Sequence, residues 1–457
     1  MKFKSTIIWG LILLLLAGFV YYYEIVGGRE RKKAEEQAKR VFVYKVSDIT
    51  RLELDHGEER LRCIKSEKGD WQLVEPVNYP ADNNAIYDIL NTLSQAAFER
   101  ALDTQGEEVS GFGLNKPGLT LRLASPSQEY TLLLGNETPT RSFLYAKRGD
   151  DPKILLLQPG LGHAFQKNTF DLRDKRVLSV AEAKVSKIEL EYIDRKLILN
   201  NDPKTGWQIT APKKLKADPD EVSALINRLN SLRVKEFVAE TAKKLSDFGL
   251  DQAEIKITLY SGDQDQKSLL IGQQKKNEQG VFAKLLDRPQ IMLLNTEVMS
   301  EFKKQVFDLR ERRVLIFDTG QVDELKLKDA ENLIHLKRYK EEWRMIQPEA
   351  APAKGYMVES MLYDLAHLKA KEFIENSPKA ETEYGLDDPQ LELSLTLGYE
   401  GQTFNQQLVF GNENKSDKPS VYVKRDDGQI FLVPKETIEQ LRKKPDDLKR
   451  DLPKKDS

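Results

Sequence analysis

The chain has 457 residues, too many for one ordinary core, so several domains are expected. Its 71 Lys and Arg against 73 Asp and Glu leave a formal net charge of -2, which provides no general basic surface for phosphates and argues against a nucleic-acid partner. Cys63 is the only cysteine and the four histidines (His56, His163, His335, His367) are scattered, so neither a disulfide framework nor a zinc or histidine metal centre is expected, and no cofactor is predicted.

Residues 1–4 form a basic leader. The stretch "STIIWGLILLLLAGFVYYY" from Ser5 to Tyr23 then holds 19 residues without a charge, about 28 Å as a helix, which is enough to cross a bilayer. Trp9 and Tyr21, Tyr22 and Tyr23 sit near its ends, where amphipathic rings favour the headgroup zone. No small-x-small cleavage site follows, so residues 5–26 are predicted to be an uncleaved transmembrane anchor whose partner is the lipid bilayer. A bare count of flanking Lys and Arg would place the body in the cytoplasm. The very short basic leader is that of a signal anchor, and on that ground we expect a single-pass protein of the cytoplasmic (inner) membrane with its bulk outside the cytoplasm. Residues 27–44, beginning "GGRERKKAEEQAKR", read as a charged, solvated stalk.

Beyond the stalk the sequence repeats. Trp71, Trp207 and Trp343 are evenly spaced, since 207 − 71 and 343 − 207 both equal 136, and each opens W-x-[LIM]-x-x-P, as "WQLVEP", "WQITAP" and "WRMIQP". The alternation from each tryptophan suits a half-buried strand that its proline ends. A helix is predicted next in every copy, with apolar stripes Ile86, Leu90, Leu93; Val222, Ile226, Leu229; and Val358, Leu362, Leu365. In the second copy Asp218 is the expected N-cap, Pro219 the first helical residue and Glu221 the capping-box residue. An aromatic-Gly-Leu turn follows ("FGLNKP", "FGLDQA", "YGLDDP"), its glycines Gly113, Gly249 and Gly385 keeping the 136-residue step, and short strands with Gly135, Gly272 and Gly411 come after it. Each copy closes on a short helix and a motif, "FDLRDKRVL" (Phe170 to Leu178), "FDLRERRVL" (Phe307 to Leu315) and a degenerate "DDLKRD".

The expected fold is therefore α+β: three tandem, mainly antiparallel β-sheet modules at 45–178, 184–315 and 321–451, each with one packed helix and a short closing helix, preceded by one transmembrane helix and followed by a polar tail at 452–457. About seven strands are expected per module, and the short joints between modules suggest a fairly rigid rod. With its N-terminal span and its repeated W-x-[LIM]-x-x-P, [FY]-G-L, L-x-x-G and D-L-[RK] elements, the chain resembles the bacterial family called domain of unknown function 4340 over Lys45 to Asp451. That resemblance implies an envelope accessory role, since many members are encoded beside ABC-type transporters of the gliding-motility kind. It carries no established catalytic residues.

An enzyme needs one privileged set of groups, whereas the best polar candidates here occur once per module: Asp171 with Arg173, Asp308 with Arg310, and Asp447 with Lys449. An aspartate near a helix end can cap backbone N–H groups while the arginine reaches a carbonyl or carboxylate, so no catalytic, cofactor or metal residues are assigned. Asp171, Arg173, Arg176, Asp308, Arg310 and Arg313 are instead expected to brace the joints between modules, and Trp71, Trp207, Trp343, Gly113, Gly249 and Gly385 to build the repeat. Neither GxxxxGK[ST] nor GxGxxG occurs in the "LLLGNE" region; Arg148 to Asp150, "RGD", reads as a loop tip, and Cys63 as a half-buried core residue. The expected function is that of a non-enzymatic, membrane-anchored scaffold or accessory protein with a membrane or envelope protein partner. Two rivals are a cell-wall or polysaccharide-binding rod, using Tyr145, Phe282 and Tyr422, and an envelope hydrolase with its site at an inter-module cleft.

Overall fold

The structure, a computed structural model, describes residues 35–450 except 104–108, 150, 263–264, 276–279, 376–380, 400 and 415–418, together with scattered positions from 9 to 21. Its residues divide into two compact units: one comprises Met1–Ala181, Asn227–Lys256 and Lys267–Ser300, the other Glu182–Ile226, Ile257–Gln266 and Glu301–Ser457.

The first module shows how the repeat is built. Its strands are β1 (Arg51–Asp55), β2 (Arg60–Lys65), β3 (Trp71–Glu75), β4 (Tyr79–Pro80), β5 (Arg100–Leu102), β6 (Leu119–Ala124), β7 (Glu129–Glu137), β8 (Leu144–Arg148) and β9 (Ile154–Leu157). They form one sheet in the order β4-β3-β2-β1-β6-β7-β8-β9-β5, antiparallel throughout. Alternation within the strands sorts the faces: in "RLRCIK", Leu61 and Cys63 point into the core while Arg60 and Arg62 turn outward. On that outer face Arg60 donates to the carboxylate of Glu53 at 2.9 Å, with Arg51 and Arg62 each at 3.4 Å.

Against the inner face lies helix α1 (Asn83–Gln95), whose Asp82 side chain accepts from the backbone N–H groups of Asn84 and Ala85. The stripe Ile86, Ile89, Leu90 and Leu93 is buried in one cluster with Leu52, Leu54, Leu73 and Leu121. Burial pushes the Cys63 thiol up to about 12.

The same strand order recurs with β10 to β18, between residues 187 and 294, and with β19 to β27, between 322 and 434. Their helices, Pro219–Ser231 and Gly355–His367, bury Val222, Leu225, Ile226 and Leu229, and Val358, Met361, Leu362 and Leu365. Each sheet has nine strands where the sequence suggested about seven. The additional two are the short edges: a two-residue strand just past the W-x-[LIM]-x-x-P proline, and a three- or four-residue strand after the helix (β5, Arg100–Leu102; β14, Glu236–Ala239; β23, Glu372–Ile374). Such runs are too short for alternation to declare itself, and shortness at an edge limits pairing with other chains. Pro76, Pro212 and Pro348 all follow cis peptides, and the register slips by one residue immediately before each.

No helix of the described residues is long and apolar enough to cross a membrane. Most of the anchor expected at 5–26, and residues 27–34 of the expected stalk, lie outside the described residues. The last residues of that stalk are not free in solvent. Val41 is buried in the first module's core, and Tyr44 donates its hydroxyl proton to the carbonyl of Leu90 at 2.7 Å.

Candidate functional site

Three sets of residues recur in every repeat: the aromatic-Gly-Leu turn, the closing motif, and the first-strand glutamates Glu53, Glu189 and Glu324, which pair with Arg60, Lys196 and Lys337 of the neighbouring strand. At the turn, Gly113, Gly249 and Gly385 have φ of 71°, 64° and 68°, the left-handed region that favours glycine. Each ends a 3₁₀ turn (Val109–Phe112, Leu245–Phe248, Glu381–Tyr384). A second glycine seats the turn. A Cβ on Gly135, Gly272 or Gly411 would run into the carbonyl oxygen of Phe112, Phe248 or Tyr384 respectively. The aromatic ring of each turn meets another across the module: Phe112 with Tyr145 at 4.8 Å, Phe248 with Phe282 at 5.1 Å and Tyr384 with Tyr422 at 4.7 Å between centroids. Trp71 and Trp343 are buried in their cores, and Trp207 is half-buried.

The closing motif begins with a one-turn helix, at Thr169–Leu172, Val306–Leu309 and Pro445–Leu448. In all three the aspartate carboxylate turns back to accept from the backbone N–H three residues earlier: Asp171 from Asn168 at 2.9 Å, Asp308 from Gln305 at 2.7 Å and Asp447 from Lys444 at 3.0 Å. The next residue but one pairs its backbone with the segment leading into the module's helix, at Ala81 with Arg173, Ala217 with Arg310 and Ala353 with Lys449.

Arg173 and Arg310 then cross into the following module. Arg173, 2% exposed, stacks its guanidinium 4.3 Å from the Phe237 ring centroid on β14 and 5.1 Å from that of Tyr79, and donates to the Glu240 carboxylate. Arg310 lies 3.3 Å over Phe373 on β23 and donates to Glu375 at 2.9 Å. Burial lowers the pKa of Arg310, while hydrogen bonds from Lys213 and, against burial, from Arg310 hold the Glu375 carboxyl below its usual range. The guanidinium stays charged throughout. In the third copy Lys449 pairs with Glu349 and Asp446 of its own module.

Arg176 and Arg313 behave differently from Arg173 and Arg310. Their guanidinium groups fold back onto acids two residues earlier, Arg176 on Asp174 at 2.8 Å and Arg313 on Glu311. Burial works against ionisation of Glu311, but the side-chain and backbone hydrogen bonds from Arg313 outweigh it and leave the carboxyl below its usual range. It is their backbone that enters the next module, as a strap paired with the loop behind its helix. Val177 N–H donates to Leu232 O (3.2 Å) and Val234 N–H to Lys175 O (2.8 Å); Val314 N–H donates to Leu368 O (2.9 Å) and Ala370 N–H to Arg312 O (2.7 Å).

The first module has the same strap, drawn from the N-terminal segment. Val41 N–H donates to Ala96 O (2.8 Å) and Phe98 N–H to Lys39 O (2.9 Å), and Arg40 bridges Ala97 as Arg176 bridges Arg233 and Arg313 bridges Lys369. "KRVF" at 39–42 matches "KRVL" at 175–178 and "RRVL" at 312–315, a signal hidden by the charged run before it. No pattern in the sequence marks Glu240, Glu375, Phe237, Phe373 and Tyr79, because they lie in or beside the short edge strands.

Among the described residues no group of three or more His, Cys, Asp or Glu could hold a metal ion. His335 is paired with Glu324 at 2.9 Å. Asp150 lies outside the described residues, and Arg148 is bonded to Asp151.

Three nine-stranded sheets, each with a packed helix and joined by a recurring closing motif, define a tandem-repeat α+β protein. The chain belongs to the family described as Domain of unknown function (DUF4340), whose model matches it three times, at residues 71–205, 207–344 and 343–452. The first two matches run from the third strand of one sheet into the early strands of the next, so the family unit is offset from the sheet unit and contains a whole joint. No curated protein matches the chain.

Proposed function

We propose that this protein is a non-enzymatic, membrane-anchored scaffold or accessory protein of the cell envelope, holding a surface of repeated modules against a membrane protein complex such as an ABC-type transporter. In this reading the Asp-x-Arg-x-x-Arg elements brace the joints. The observation that carries it is the use to which the recurring polar groups are put. Asp171, Asp308 and Asp447 cap their own helices, and Arg173 and Arg310 are engaged by aromatic rings and a carboxylate of the next module. Repetition of one unit supplies contact area and reach, as in other repeat scaffolds.

The N-terminal strap supports placement close to a bilayer. Only 13 residues, 27–39, separate the end of the proposed span at position 26 from Arg40, at most about 50 Å of chain. The described side chains of the apolar stretch, Trp9, Leu13, Leu15, Leu16, Phe19 and Tyr21, are each more than half exposed, an arrangement suited to lipid.

The polysaccharide reading is less favoured, since Tyr145, Phe282 and Tyr422 each pack against another aromatic ring of their own module. A hydrolase at a joint would need a carboxyl free to exchange protons. Glu375 is instead shared between two cations.

Mild crosslinking of cells followed by affinity purification of the tagged full chain should recover a membrane complex. Recovery of the chain alone under several crosslinking chemistries would refute the scaffold reading, and protease accessibility in spheroplasts reports which side the modules occupy.

A further inference from the structure

The two internal joints use the same bracing chemistry but differ at the position of Tyr79. At the first, Tyr79 is 2% exposed, packs edge-to-face on Phe237 at 5.1 Å and accepts a hydrogen bond from Arg288 at 3.0 Å. At the second, the position of Tyr79 is taken by Leu215, which likewise opens a two-residue edge strand. A cavity of about 550 Å³ lies there, within the usual range for a small-molecule site.

Its walls have two characters. Pro212, Leu215, Val306 and Phe307 form an apolar side. Of the other lining residues, Lys213 and Arg310 both donate to Glu375, at 3.0 and 2.9 Å, so two cations share one carboxylate and a positive charge is left over. Arg195 stands on the rim, its guanidinium paired to an exposed Asp194. At the first joint Val77 holds the position of Lys213 and Glu59 that of Arg195, and its own second cation, Arg288, is engaged by Tyr79. The second joint therefore combines a smaller residue at the tyrosine position with cations that line the cavity.

We propose that the second joint is a binding site for a small amphipathic anion, an organic acid whose carboxylate is received by Lys213 and Arg310 while its alkyl or aryl body lies against Leu215, Pro212 and Phe307. The ammonium of Lys213, 60% exposed, has donors to spare, and the apolar wall distinguishes such a ligand from a bare inorganic anion. This inference is independent of the scaffold reading, because it concerns the chemistry of one joint and not the partner of the array.

The test is calorimetric titration of the purified full chain with 4-phenylbutyrate, its neutral amide 4-phenylbutanamide, and inorganic phosphate, all water-soluble. Saturable binding of the acid is expected, at least about tenfold tighter than either comparison compound. Leu215→Tyr and Lys213→Val, which install the residues of the first joint, should each weaken it by about tenfold or more in a chain that remains folded. Lys213 is exposed, so that variant tests the headgroup even where the tyrosine disturbs packing. Absence of saturation, equal binding of the amide or of phosphate, or undiminished binding in Lys213→Val would each overturn the proposal.

Discussion

Arg173→Ala tests the proposed brace most directly. The substitution removes a guanidinium that sits between two rings, 4.3 Å from Phe237 and 5.1 Å from Tyr79, and ends on Glu240. Desolvated cation–π contact is worth about 1–2 kcal/mol, and the three-methylene stem, buried with the rest of the side chain, about 2 kcal/mol. A charge-assisted hydrogen bond would contribute about 1.5–3 kcal/mol, but Glu240 is 44% exposed and regains water on losing its partner, so about 1 kcal/mol is the fitting figure. Release of side-chain entropy returns about 1–2 kcal/mol. The net expectation is a loss of about 3 kcal/mol, read by urea unfolding of the full chain through the fluorescence of buried Trp71. Arg173→Met keeps the apolar stem and its entropy cost and loses the cation–π contact and the hydrogen bond, so it should cost about 2–2.5 kcal/mol. A change under about 0.5 kcal/mol for Arg173→Ala, the range of ordinary surface substitutions, would refute the bracing argument. Equal losses in the two variants would show that the charge, not the stem, carries the contact.

Gly135→Ala and Gly411→Ala should each destabilise by about 2–4 kcal/mol, because the added methyl meets a backbone carbonyl that only a shift of the aromatic-Gly-Leu turn could relieve; differential scanning calorimetry measures the loss. Acidification should loosen the second joint: Glu311 and Glu375 have lowered pKa values in the folded chain, so their stabilisation is fully present above the ordinary glutamate value of about 4.3 and is lost as pH falls through the lowered folded values. Hydrogen exchange at Val314 and Ala370 between pH 6 and about 3 reports it, and protection that stays constant would contradict the assignment. Val41→Asp places an unpaired charge in the first core and should unfold that module, with the Trp71 emission shifting red; an unshifted spectrum would mean that the strap is dispensable.

The sequence disclosed most clearly what repeats with a side chain of its own. Tryptophan, glycine and the apolar helix stripes recur at 136 residues, and each stripe residue named from periodicity is buried. What it disclosed least was what depends on strands of two to four residues. Phe237 and Glu240, or Phe373 and Glu375, lie in and beside edge strands with no alternation long enough to read, and which arginine meets them is settled by the chain folding back across a joint. The strap at Arg40 and Val41 was in plain view as "KRVF", but its neighbours 29–40 carry enough charge to read as a stalk. Asp171 was legible as a cap because its partner is only three residues away.

The strap and the plug separate two kinds of connection. Every module receives a backbone strap ending in a buried valine, Val41, Val177 or Val314, so the strap belongs to the module itself. The arginine plug is confined to joints that have a module on both sides. On the first sheet, Ala101 occupies the place that Phe237 and Phe373 hold on the second and third, each directly opposite a residue of the ninth strand. On the third module, Lys449 stands where Arg173 and Arg310 stand, and an ammonium cannot reproduce the planar face that stacks on a ring. The first module thus lacks the aromatic socket and the last lacks the planar plug. The arginine brace forms at the two joints where the ring and the guanidinium are both present, and the segment before the first module is tied to it by the strap at Arg40 and Val41.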